Sequence, residues 1–291
     1  MAQNLNSEDP HQLAQMEKLL LEYTQSYSRY YSRSKSKLMQ RCREQLFQER
    51  EMGALVDRLE RLYGRLEGCR VLEVGSGSGS RSVAVALRGA EVTGIEPSEA
   101  GVAASRLRAQ RYPHLKVRFD VGIGEELPFP DGSFDLVFST EVLQHVQNME
   151  RVIAETSRVL RPGGHCYHEA PNNLYPWEFH YRMLWFPGMP KPLGKLYARL
   201  RGKDPRHLDD ISFIYPRPLS NMMRRHGFTE IRDLYEVEFW QKTTETERIH
   251  SSSKRKAFEL LRRLGLSRPI VRAISFLGIY PQVKVHAVKT V

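Results

Sequence analysis

The chain has 291 residues, 41% of them hydrophobic, and a net charge of +10. Length and composition suit one packed domain of above-average size, or one with insertions. No run of about 18 apolar residues is present, so a transmembrane helix is not expected, and three cysteines (Cys42, Cys69, Cys166) are too few and too scattered for a disulfide framework or a zinc site.

The first ten residues read as a frayed end. They are polar and acidic around Asn4 to Asp9, unlike a signal peptide, so a reducing, cytoplasmic setting is expected. From about His11 to Leu66 the pattern is helical. Leu20, Tyr23, Tyr27, Tyr30 and Tyr31 fall near one face, and Leu55, Leu59, Leu62 and Tyr63 make a second. Gly64 ends or interrupts that second face. Between them the interleaved tyrosines and arginines around Arg29 to Arg33 suit either RNA or a core-facing aromatic stripe, and the stripe is favoured. Two or three helices should pack on the domain that follows.

The next stretch organises the chain. An apolar strand, Arg70–Val74, runs into Gly75-Ser76-Gly77-Ser78-Gly79-Ser80, and a helix follows from about Arg81 to Leu87. Glycine at every second position lets backbone approach a ligand closely, and a glycine-rich strand-to-helix turn is a nucleotide-binding signal. Ser80 stands where the third glycine of a dinucleotide fingerprint belongs. Glu73, two residues before Gly75, would repel a pyrophosphate and suits a ligand with positive charge and no phosphate. The run resembles the E-x-G-x-G-x-G motif of class I S-adenosylmethionine-dependent methyltransferases. That resemblance implies a doubly wound, mostly parallel seven-stranded α/β sheet. It also implies S-adenosylmethionine bound around Glu73, Gly75, Ser76, Gly77 and Gly79.

A second strand, Glu91–Ile95, ends in Glu96-Pro97-Ser98. Glu96 lies 21 residues after Gly75, the distance of the acid that holds ribose hydroxyls in nucleotide folds. A helix is expected from about Ser98 to Arg111 and a third strand over Leu115–Val121. The run Leu127-Pro128-Phe129-Pro130-Asp131-Gly132-Ser133-Phe134-Asp135, leading into a fourth strand at Phe134–Phe138, is similar to the signature of the ubiquinone/menaquinone-type branch of that class. One departure is Ile123, where the branch usually has an Asp for the adenine amino group. Recognition there is expected from Gly124 backbone and Glu125.

Ser139-Thr140-Glu141-Val142-Leu143-Gln144-His145 resembles the segment over the sulfonium. It implies Thr140 as a cofactor contact and His145 as the first choice of base, ahead of His168, Glu169 and His180. A helix over about Met149–Leu160 leads to Arg158-Val159-Leu160-Arg161-Pro162-Gly163-Gly164. This resembles the turn of the same branch into a fifth strand, His165–Ala170. His165, Cys166 and His168 make no metal site, because strand alternation sends the two histidines to opposite faces; no metal is expected. The resemblance spans residues 68 to 172.

Residues 171–212 are rich in Pro, Trp, Tyr and Phe and read as a substrate-side insertion. Pro218–Gly227 reads as a helix, Phe228–Glu238 and Gln282–Val288 as the last strands. Between those strands, 239–281 holds two basic amphipathic helices, about Lys254–Leu264 and Pro269–Ile279. Nine Lys or Arg stand against Glu259 from Lys254 onward. The stretch 254–280 is a candidate for peripheral membrane contact; the alternative, a helical pair packed on the sheet, is favoured.

The expected organisation is a helical cap at 1–67 on a methyltransferase domain at 68–291. The expected function is methyl transfer to a small-molecule, glycan or lipid-like acceptor. Nucleic acid is disfavoured, since the motifs of adenine and cytosine methylation are missing after the fourth strand. The alternatives are an RNA-binding or RNA-modifying enzyme and a non-catalytic cofactor-binding relative.

Overall fold

The computed structural model describes residues 10–27, 35–235, 237–238 and 263–290. The stretch Arg29 to Arg33, with Tyr30 and Tyr31, and nearly all of the helix expected at 254–264 lie outside them. The chain divides into two compact units. The first comprises 1–139, 148–167 and 288–291, the second 140–147 and 168–287.

The first unit begins with α1 (Pro10–Tyr27), α2 (Lys35–Gln45) and α3 (Gly53–Tyr63). Of the periodic apolar positions, Leu20, Leu55 and Leu59 are buried while Tyr23, Leu62 and Tyr63 are half-buried; Met16 and Leu20 pack with Cys42 of α2, and Val56 joins Leu55 and Leu59 in the core. Gly64 closes α3 at φ 104°. Strands β1 (Arg70–Val74), β2 (Glu91–Glu96) and β3 (Val117–Val121) alternate with α4 (Ser80–Ala86) and α5 (Glu99–Gln110); β4 (Phe134–Thr140) follows β3 directly and leads to α6 (Met149–Val159). β1 pairs in parallel with β2 and β4, and β2 with β3. Val71, Leu72, Leu136, Val137 and Phe138 are almost fully buried, as strands covered on both faces require.

Arg108 of α5 is fully buried against Glu49, which forms an ion pair with it. Arg108 also donates to the carbonyls of Ser78 at 2.8 Å, Leu46 at 3.1 Å and Gln45 at 2.8 Å. One guanidinium thus ties the glycine loop, α5 and the segment after α2 together.

β5 runs Leu160–Pro171, five residues earlier than expected. Arg161 to Gly164, read as a turn, are counted in the strand, although Gly163 keeps a left-handed φ of 69°, and Arg161 Nε donates to Asp135 Oδ1 of β4 at 2.7 Å.

In the second unit β6 (Trp177–Glu178) and β7 (Met183–Leu184) form a small hairpin, followed by α7 (Lys191–Leu200) and α8 (Pro216–Arg225). Trp185 packs against Gly194 of α7, where an added Cβ would lie 2.6 Å from its ring. β8 (Phe228–Asp233) stops earlier than expected, because Asp233 accepts from the backbone N–H of Tyr235 at 2.9 Å and turns the chain. α9 (Ser267–Leu277) and β9 (Gln282–Lys289) complete the elements. The seven-stranded sheet has the order β3-β2-β1-β4-β5-β9-β8. Among the described residues, no helix is long and apolar enough to cross a membrane.

Candidate functional site

The loop between β1 and α4 takes a conformation that only glycine adopts without strain. Gly75, Gly77 and Gly79 sit at φ 73°, 55° and 76°. At Gly79 an added Cβ would lie 2.8 Å from Phe119 Cζ and from Ser105 Cβ. The N–H groups of Gly75 and Ser76 donate to the carbonyl of Ile95 at 2.8 and 2.9 Å, fixing the loop to the end of β2.

Glu96 is buried at the last position of β2. Its Oε2 accepts from the N–H of Gly77 at 3.0 Å and its Oε1 from the N–H of Ser98 at 3.1 Å. Burial raises its pKa, and those two N–H groups work against the rise. The residue expected to hold a ribose therefore also holds the loop. Each oxygen keeps lone-pair capacity for a further donor.

Glu73 is fully buried, and Ser82 Oγ of α4 donates to its Oε2 at 2.5 Å. Its Oε1 and the buried Oγ of Ser76 have no hydrogen-bond partner among the described residues. Burial lifts Glu73 to about 7, opposed by Arg81 and Ser82. Orphaned buried acceptors are uncommon in folded proteins. Two of them beside a loop with no side chains at its glycines fit a ligand that brings donors and positive charge.

Gly124 is buried, and an added Cβ would lie 2.9 Å from Val74 Cγ1. Glu125 accepts from the N–H of Asn148 at 3.3 Å, at the start of α6. Ile123, at the departure from the usual Asp, is 47% exposed. Pro97 is exposed beside Glu96. Thr140 ends β4 in the second unit, buried, its Oγ1 without a partner among the described residues.

The second unit holds its own cluster. A cavity of about 420 Å³ is lined by Glu141, Pro171, Phe179, His180, Pro281 and Gln282. His145 lies in a turn with its ring centroid 6.1 Å from that of His180. It keeps exposed surface, yet the protein packed around it, then His180, push it down to about 4, while Asp210 pulls the other way. His168 is buried on β5 and burial alone takes it to about 4. Glu169 forms an ion pair with Lys284 at 3.6 Å.

Sequence reasoning missed Glu141, Glu178 and His207. Glu141 takes φ 60°, held by its N–H to the carbonyl of Glu169 at 2.8 Å and by Gln282 Nε2 and Gln144 Nε2 on its carboxylate at 3.0 and 3.2 Å. A left-handed glutamate leaves no glycine to read. Glu178 and His180 meet because the hairpin turn that follows Glu178 brings His180 Nδ1 to 2.7 Å from its carboxylate, which no periodicity marks.

Residues 72–168 match the family described as methyltransferase domain. These residues are a methyltransferase domain. The domain is similar to demethylmenaquinone methyltransferase of Tropheryma whipplei, 38% identical over 104 residues, 36% of this chain and 42% of that one. A probable S-adenosylmethionine-dependent methyltransferase of Mycolicibacterium smegmatis is 35% identical over 140 residues, 48% of this chain and 49% of that one. The matched part thus spans less than half of these relatives. The fold resembles that of the [4+2]-cyclase SpnF, with a TM-score of 0.53, 20% identity and 95% of both chains covered. A methyltransferase fold therefore also carries a cyclase name, so the activity has to be argued from the site.

Proposed function

We propose that the chain transfers a methyl group from S-adenosylmethionine to a small-molecule acceptor with an apolar ring. The carrying observation is the glycine loop, with three positive-φ glycines, Glu96 on the Gly77 N–H, and Glu73 Oε1 and Ser76 Oγ without a partner among the described residues. S-adenosylmethionine, when bound, supplies a methyl group on a sulfonium with a leaving group that needs little help. The expected contacts are Glu73, Gly75, Ser76, Gly77, Gly79, Glu96, Pro97, Gly124, Glu125 and Thr140. Glu96 would accept from ribose hydroxyls while keeping the loop in place. Alignment of two reactants contributes up to about 7–11 kcal/mol in favourable cases, so positioning is the main task of these residues.

The acceptor class follows from the second unit. Phe179, Pro171 and Pro281 offer the cavity apolar walls, and Glu141, Gln282 and His180 offer polar ones. This suits a ring bearing a hydroxyl or amine. The name demethylmenaquinone methyltransferase, borne by one relative, points to the same acceptor class. His145, beside His180, is the proposed proton acceptor. Transfer of labelled methyl from S-adenosylmethionine to a panel of phenols, quinols and amines tests the reading. Turnover lost in Phe179→Ala but retained in an exposed-surface variant supports it, and no transfer to any member opposes it.

We also propose peripheral contact of 263–280 with an anionic membrane. Phe276, Leu277 and Leu264 are 72%, 56% and 60% exposed, and Arg263, Arg268 and Arg272 are exposed among them. Apolar side chains beside cations suit a charged interface. Co-sedimentation with anionic but not neutral vesicles, lost in Phe276→Asp, is the expected result. Equal binding to both vesicle types, or none, opposes it.

A further inference from the structure

Three side chains of metal-ligating type converge in the second unit. Glu178 ends β6, His180 lies in the hairpin loop, and His207 lies on the short 3-10 segment Pro205–Leu208. One ligand atom from each lies within 4.8 Å of the others. The sequence does not join them, because His207 lies 27 positions after His180 and the fold alone brings them together.

The cluster is built rather than incidental. Glu178 and His207 are only 6% and 4% exposed. The hairpin register pairs Glu178 with Met183, and Arg182 closes the loop at φ 55°. The carboxylate is thereby aimed: Oε2 accepts from the N–H of Tyr181, and Oε1 lies 2.7 Å from His180 Nδ1. The rings of His180 and His207 sit 4.6 Å apart, tilted by 54°. Tyr181 packs edge-on against His207 at 5.6 Å, and Asp204 caps the 3-10 segment from which His207 projects, accepting from Arg206 N–H at 3.0 Å. All this adjoins an apolar cluster of Tyr181, Met183, Trp185, Leu208 and Ile211. A buried carboxylate and two imidazoles are expensive in such surroundings unless they are paired or coordinate a metal.

We propose that Glu178, His180 and His207 bind one divalent transition-metal ion of zinc type, at the wall of the cavity to which His180 contributes. Two imidazoles and a carboxylate form a ligand set that zinc accepts. Bonds of about 2.0–2.2 Å in a tetrahedron put ligand atoms roughly 3.3 Å apart. Modest side-chain rotation closes the present 4.8 Å span, and the ion replaces the direct contact between Glu178 and His180. Three protein ligands leave a coordination position open. An acceptor oxygen in the cavity would meet a Lewis acid there. That use rests on the methyl-transfer reading; the binding of the ion does not.

The test is calorimetric titration of the chelator-stripped full chain with zinc(II), with cobalt(II) absorption reporting the ligand geometry. One equivalent should bind with micromolar or tighter affinity. Glu178→Gln and His207→Gln should each weaken binding at least roughly tenfold, with unchanged circular dichroism. His165→Gln, outside the cluster, should bind as wild type. No stoichiometric binding of either metal to wild type would overturn the proposal. So would wild-type affinity in folded Glu178→Gln, even if His207→Gln failed to fold. S-adenosylmethionine binding by the same stripped protein is measured separately, so failure of the metal site and failure of the methyl-transfer reading are told apart.

Discussion

The hydroxyl of Tyr23 rests on Gly77: a Cβ at Gly77 would lie 2.9 Å from Tyr23 Oη. α1 thus reaches the glycine loop through one side chain. Gly77→Ala should destabilise by about 1–2 kcal/mol for the left-handed backbone alone, with a further loss from pressure on the hydroxyl. Tyr23→Phe removes that pressure, since the next ring atom, Cζ, is 3.6 Å away. The double variant should therefore be more stable than the sum of the single effects, by at least about 0.5 kcal/mol. Urea unfolding of all four proteins measures it, and strict additivity would mean that the contact is not made.

Glu49 and Arg108 form a pair with no exposed side-chain surface. Burial pulls the arginine pKa down and Glu49 pulls it back up. Arg108→Met leaves the buried Glu49 carboxylate with only Arg111 at 3.4 Å and the Tyr112 hydroxyl at 3.0 Å, and should destabilise by up to about 3 kcal/mol. Replacing both residues by apolar ones of similar volume should cost less than Arg108→Met alone. Denaturant midpoints decide this, and a double variant weaker than the single would contradict the account.

Glu73 gives the protein a pH signature. Its carboxyl titrates near 7 when folded, against an ordinary value of 4.5. The folded state therefore keeps a proton that the unfolded chain gives up. This stability is fully present below about 4.5, declines as pH rises to about 7, and is absent above that. Glu73→Gln keeps the shape without the charge. It should match wild type near pH 4.5 and gain on it by roughly 2–3 kcal/mol at pH 8. Thermal melts across that range check the sign, and a gap that shrinks with rising pH would contradict it.

The parallel core was legible because its strands are continuous buried apolar runs and its loop is written in glycine. Arg70–Val74, Met149–Val159 and Gln282–Lys289 fall where periodicity placed them, within a residue. The distance of Glu96 from Gly75 marks it as the proposed ribose acceptor, but its bond to the Gly77 N–H was not legible, since a carboxylate near a backbone amide leaves no mark on spacing. Glu141 was missed because its left-handed turn is imposed by Glu169, Gln144 and Gln282. Glu178 and His207 were missed because a hairpin and a distant 3-10 segment bring them together. Local chemistry reads from local sequence; convergence across the fold does not.

The central claim is tested most directly by calorimetric titration of wild type and Glu96→Ala with S-adenosylmethionine and with S-adenosylhomocysteine. Glu96 supports the loop through Gly77 at 3.0 Å and is the proposed ribose acceptor. Micromolar binding to wild type, weakened about ten- to a hundredfold by the substitution, is the predicted result. Failure of wild type to bind either compound would contradict the account.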